Sequence, residues 1–130
     1  MPKSPKPDSQ EPLQLSLHAV QQSMTDHLIF SVGKDPITAT DRDWFFTLAE
    51  IVRERLIERW MATMRRYYVH DVKRVYYLSM EFLIGRSLIN GVLSIGFAEE
   101  VREACVSAGV ILDKVKEMEF DAALGNGGLG

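Results

Sequence analysis

Leu17, Val20, Met24 and Leu28 recur at spacings of three and four residues, the signature of one apolar helix face, and predict a helix from about Ser16 to Val32. Gly33 supplies its stop and Pro36 lies just beyond. Thr40 is a candidate N-cap with Asp43 three residues on, a weak form of the capping box; Trp44, Leu48, Ile51, Val52 and Trp60 then follow on a broad apolar face. A long second helix to roughly Tyr68 is expected. After a polar break at His70-Asp71, the β-branched and aromatic run Arg74 to Ser79 predicts one short strand. A short helix from Ser87 to Leu93 comes next, with Asn90-Gly91 blurring its end, and then a helix from Phe97 to Ala108 stopped by Gly109. Asp113 is placed as the cap of a last amphipathic segment reaching Met118. The opening residues, Met1 to Pro12, hold four of the five prolines among polar residues and are expected to form a disordered tail.

Composition narrows the class without choosing a function. The 130 residues suit one domain, and the apolar 46% and charged 25% are ordinary for a globular chain. A net charge of −3 gives no basic excess for nucleic acid, and no apolar run approaches the length of a membrane span. Neither a nucleic-acid nor a membrane partner is expected. Cys105 is the one cysteine, which rules out an intrachain disulfide and a cysteine-rich metal site and fits a cytoplasmic setting. His18, His27 and His70 are too scattered for metal-ligand spacing, so no metal is expected. From Arg53 to Arg74, seven basic residues face three acidic ones, either an anion-holding stretch or a solvated helix face with Glu and Arg in helical pairing.

Two stretches carry candidate chemistry. The first is the glycine-rich run Leu124 to Gly130, where successive amides without intervening side chains can approach phosphate oxygens. Gly125, Gly127 and Gly130 formally satisfy GxGxxG, yet no hydrophobic strand precedes them, so a dinucleotide turn and a kinase loop both fit poorly. A Walker lysine is also missing. The second stretch surrounds Glu81, a charge between Met80 and Phe82 whose desolvation demands a partner. Either Arg86 provides a structural ion pair, or Glu81 sits at the carboxyl end of a strand where ligands gather. Pattern alone leaves both readings open. Ser79 and Cys105 lack the settings of nucleophiles, and Trp44, Trp60, Tyr67 and Tyr68 read as core and interface aromatics.

Read together, Lys73 to Arg86 and Leu124 to Gly130 resemble two signature stretches of the α-glucan (glycogen, starch and maltodextrin) phosphorylases. Val32-Gly33-Lys34-Asp35-Pro36, Val52 to Leu56 and Trp60 add to the resemblance, which runs from about Leu17 to the last residue. It implies a pyridoxal-phosphate-dependent glycosyltransferase that uses inorganic phosphate to remove the terminal glucose of an α-1,4-glucan as glucose 1-phosphate. By residue matching, Gly127 and Gly128 would present amides to the phosphate side of the site, with Gly128 also lining the cofactor. Leu129 would lie beside the glucosyl unit, and Glu81 would line the same pocket. The lysine that binds the cofactor has no counterpart in this chain. A homodimer is implied for the full-length family enzyme.

The resemblance also implies a fold class: α/β, with a mostly helical N-terminal portion and one short strand beginning the first Rossmann-like domain of a two-domain GT-B glycosyltransferase. The expected division is a tail over 1–12, a helical subregion over 13–72, and the start of a sheet with its glycine loop over 73–130. Leu83 and Ala62 stand where the animal enzymes carry a tyrosine and an arginine, which points to the bacterial type and to no activation by AMP. Family members are several times longer, so the chain is expected to be an N-terminal fragment that is inactive alone. The alternative is a non-catalytic helical regulatory or interaction module derived from a phosphorylase.

Overall fold

A computed structural model describes residues 16–125. Five α-helices and one π-helical segment make up its regular structure: α1 (Leu17–Asp26), the π segment (His27–Val32), α2 (Asp41–His70), α3 (Leu88–Ile95), α4 (Ala98–Ser107) and α5 (Leu112–Glu117). The core is one cluster drawn from all of them. Val20, Met24 and Leu28 supply the first helix face, Trp44, Leu48, Ile51 and Val52 the second, and Val92, Phe97, Val101 and Val115 close it. Thr47, fully buried, satisfies its hydroxyl on the Asp43 carbonyl at 2.9 Å.

The first helix follows its periodicity closely. Ser16 caps it by accepting from the Ala19 amide, and the Gly33 backbone, at φ 73°, ends the π segment in the left-handed region that glycine tolerates best. The capping box of α2 is complete. The Thr40 hydroxyl accepts from the Asp43 amide at 3.3 Å, and the Asp43 carboxylate accepts from the Thr40 amide at 2.9 Å. Those bonds from the Thr40 backbone and hydroxyl hold the Asp43 carboxyl below its usual range. Because the folded value is the lower one, this stabilisation is present above the ordinary carboxylate pKa and is lost as the pH falls through the folded value. Thr40→Ala is expected to cost about 1 kcal/mol near neutral pH, read as a lower urea midpoint at unchanged slope.

Two expectations need correction. Arg74 to Ser79 forms no strand, and the described residues as a whole contain helices and no sheet, so the α/β class does not describe them. The physical reason is pairing. A strand needs a second backbone to complete its ladder, and none among the described residues runs beside this stretch, leaving Val75 95% and Leu78 91% exposed. Asp113 is not a cap either: Ile111 holds the N-cap position of α5 and Asp113 falls in its first turn, paired with Lys116 at 2.9 Å.

The α2 helix is about 45 Å long at 1.5 Å per residue, and its buried residues all lie between Trp44 and Val52. Its second half leaves Trp60, Met61, Tyr67 and Tyr68 exposed, so of the four aromatics expected in core or interface only Trp44 is in this core. Gly91 explains how α3 reaches α2. A Cβ at that position would meet Val52 Cγ1 at 2.9 Å, closer than packed side chains approach, so any larger residue would make Val52 or the helix shift.

Candidate functional site

The two candidate stretches meet. From His70 the chain runs through a largely exposed segment with no helix or strand to Gly85, which takes a positive φ of 67°. Within it the Ser79 hydroxyl donates to the Glu81 carbonyl at 2.6 Å and accepts from the Glu81 amide at 3.2 Å, a tight local turn. Glu81 is half-buried beside it. Tyr77 and Phe82 make an edge contact with ring centroids 5.9 Å apart.

Immediately after Glu81, the Phe82 amide donates to the Leu124 carbonyl at 2.8 Å. That bond joins the Glu81 stretch to the residues that lead into the glycine run. The approach is shaped by a further turn, in which the Asp121 carboxylate accepts from the Ala123 amide at 2.8 Å and Ala123 adopts a φ of 50°. Gly127, Gly128 and Leu129, three of the site residues expected from sequence, lie outside the described residues. Glu81 is the one that lies within them.

Beside this junction the chain is fastened by charge. Arg86 pairs with Glu117 at 3.0 Å, and the Glu119 carboxylate accepts from the Ser87 amide at 2.6 Å and from the Leu88 amide at 3.0 and 3.1 Å. Arg86 therefore has Glu117 as a carboxylate partner. Sequence reasoning missed Glu119 altogether, because a glutamate in a charged stretch carries no mark of a cap for a helix more than 30 residues earlier in the chain.

The basic stretch resolves into particular contacts. Arg53 and Arg55 pair one turn away with Glu50 and Glu58, while Arg59 reaches across to the Ser94 and Ile95 carbonyls at 3.4 and 2.7 Å, capping the end of α3. A groove of about 800 Å³ runs between α2 and α3, lined by Phe45, Val52, Arg53, Trp60, Leu88 and Glu119. Glu81 is not among its lining residues.

Metal and nucleophile chemistry find little support. Among the described residues no group of three or more His, Cys, Asp or Glu side chains could hold a metal ion. His27 bridges Ser31 and Glu54, each at 3.1 Å, and ties the π segment to α2. Burial pushes the Cys105 thiol up to about 11, so almost no thiolate exists at neutral pH. Among the described residues no helix is long and apolar enough to cross a membrane.

No protein-family model matches the chain. It is 47% identical over 111 residues to the brain form of glycogen phosphorylase from Homo sapiens, an alignment covering 85% of this chain and 13% of that protein. It is 46% identical over 116 residues to the glycogen phosphorylase of Chlamydia pneumoniae, covering 89% of this chain and 14% of the relative. The muscle form from Ovis aries is 43% identical over 111 residues. The chain thus spans about 13% of the length of the curated relatives it matches.

Proposed function

From a chain that is similar to the N-terminal part of the glycogen phosphorylases, we propose that these residues belong to an α-1,4-glucan phosphorylase and furnish part of its phosphate site. The observation that carries this reading is the hydrogen bond from Phe82 to Leu124, because it brings the two stretches that bear the resemblance to one place.

The reaction is phosphorolysis. An oxygen of inorganic phosphate bonds to the anomeric carbon of the terminal glucose, the bond from that carbon to the glucan oxygen breaks, and the leaving oxygen takes a proton. Glucose 1-phosphate and a glucan shorter by one unit result. The Gly127 and Gly128 amides would act as neutral donors aimed at the phosphate, where a loop carboxylate would repel it. Leu129 would stand beside the glucosyl ring, and Glu81 would form part of the pocket wall. Pyridoxal phosphate, when bound, would supply a phosphate that relays the proton; in this chain only the Gly128 backbone would line it.

The same reading places these helices at the start of a GT-B fold, in which the exposed run Arg74 to Ser79 would find the neighbouring strands it lacks here. Leu83 and Ala62 favour the bacterial type within it, although animal and bacterial relatives are almost equally identical to this chain. A cytoplasmic homodimer is proposed for the whole protein. The test is an assay of the full-length protein with inorganic phosphate and an α-1,4-glucan, in which glucose 1-phosphate is expected. The 130-residue chain alone should neither release it nor take up the cofactor absorbance, and either signal would overturn the fragment reading.

A further inference from the structure

We propose that Glu119 is a positioning residue that holds residues 117–124, which lead in sequence to the glycine run, against the segment that follows Glu81; this rests on the phosphorolysis reading and adds a residue that pattern did not suggest. Ser87, the N-cap of α3, makes no side-chain capping bond. Its task is done from outside. Glu119 Oε1 accepts from the Ser87 and Leu88 amides at 2.6 and 3.0 Å, and Oε2 accepts from the Leu88 amide at 3.1 Å. A carboxylate at the first free amides of a helix meets both unpaired donors and the positive end of the dipole.

Three attachments hold residues 117–124 against residues 82–88, and they differ in strength. The Arg86 to Glu117 pair has both side chains more than half exposed and contributes little. The Phe82 to Leu124 bond is a single neutral one. The Glu119 bonds are charge-assisted and multiple, which makes them the strongest of the three. They also end on the most rigid partner: α3 buries Leu88, Val92 and Ile95, and its Gly91 packs directly on Val52. Gly127 follows Glu119 by eight residues and Leu124 by three, so the carboxylate is the firmer of two anchors on the stretch that leads in sequence to the proposed phosphate donors. Glu119 touches no reacting atom in this account. It acts through the position of the segment it holds.

The experiment uses the full-length protein and varies Glu119 after wild-type phosphorolysis has been measured. Glu119→Ala is expected to lower kcat/KM for inorganic phosphate about 100-fold, the usual effect of displacing reacting groups by about 1 Å, while KM for glucan stays within about twofold. Glu119→Gln keeps Oε1 as an acceptor and should recover most of the loss. Glu119→Asp keeps the charge but withdraws it by one methylene, and should show the same phosphate-specific defect; it decides the matter if the alanine variant fails to fold. Folded Ala or Asp variants with wild-type phosphate kinetics, or with phosphate and glucan parameters lost in parallel, would overturn the positioning role. A wild-type protein without phosphorolysis would instead overturn the reading on which it rests.

Discussion

Gly128→Ala in an active full-length protein is expected to reduce the rate of phosphorolysis by about 100- to 1,000-fold, the range seen when one preorganised donor to a developing anion is lost. The reasoning starts from charge. In the proposed phosphorolysis, the incoming phosphate is an anion that would approach the phosphate of the cofactor, so the site would need donors that carry no charge to be displaced and no side chain to be moved aside. Backbone amides of consecutive glycines meet both needs. On the proposed assignment, a methyl group added at Gly128 adds bulk where the phosphate is to approach the backbone amide. The loss should fall on kcat/KM for phosphate, with helix content by circular dichroism unchanged. Wild-type phosphorolysis in this variant, or in Gly127→Ala, would remove the assignment of the run as a phosphate cradle.

Phe97→Ala is expected to cost about 3 to 5 kcal/mol, a large part of the roughly 5 to 15 kcal/mol that holds a domain together. Phe97 is 2% exposed, sits at the junction of α3 and α4, and is the largest fully buried side chain of the core. Its backbone is committed as well, since its carbonyl accepts from Val101 at 3.1 Å to begin α4. The neighbours are α3 on one side and α4 on the other, both short helices fixed by what they pack against, and they cannot collapse into the vacated volume without losing other contacts. Urea unfolding followed by tryptophan fluorescence should show a midpoint lowered by more than 1 M, given a slope of about 1 to 3 kcal/mol per M. A shift below a few tenths of a molar would mean that Phe97 is not a keystone of this core.

Where sequence was a good guide, local chemistry decided the outcome. The periodicity of Leu17 to Leu28, the Thr40-Asp43 pair and the Gly33 and Gly109 stops act within a turn or two of themselves, and each produced the element expected of it. Arg74 to Ser79 failed for the opposite reason: β-propensity expresses itself only against a partner backbone, and the described residues supply none. The same distinction separates the site residues. The Glu81 stretch and the glycine run could be picked out by composition, whereas the capping of α3 by Glu119 and by Arg59 depends on which ends the fold brings together.

The contact between Gly91 and Val52 also makes α2 a lever. Val52 is the last buried residue of that helix, and the helix continues about 27 Å beyond it to His70 at 1.5 Å per residue. A tilt of about 5° at this fulcrum would carry the far end through about 2 Å, a distance comparable to the sliding of helices in known switching transitions. The Arg59 bonds to the Ser94 and Ile95 carbonyls tie that projecting half to the end of α3, so a load on Tyr67 or Tyr68 would reach α3 at both of its ends.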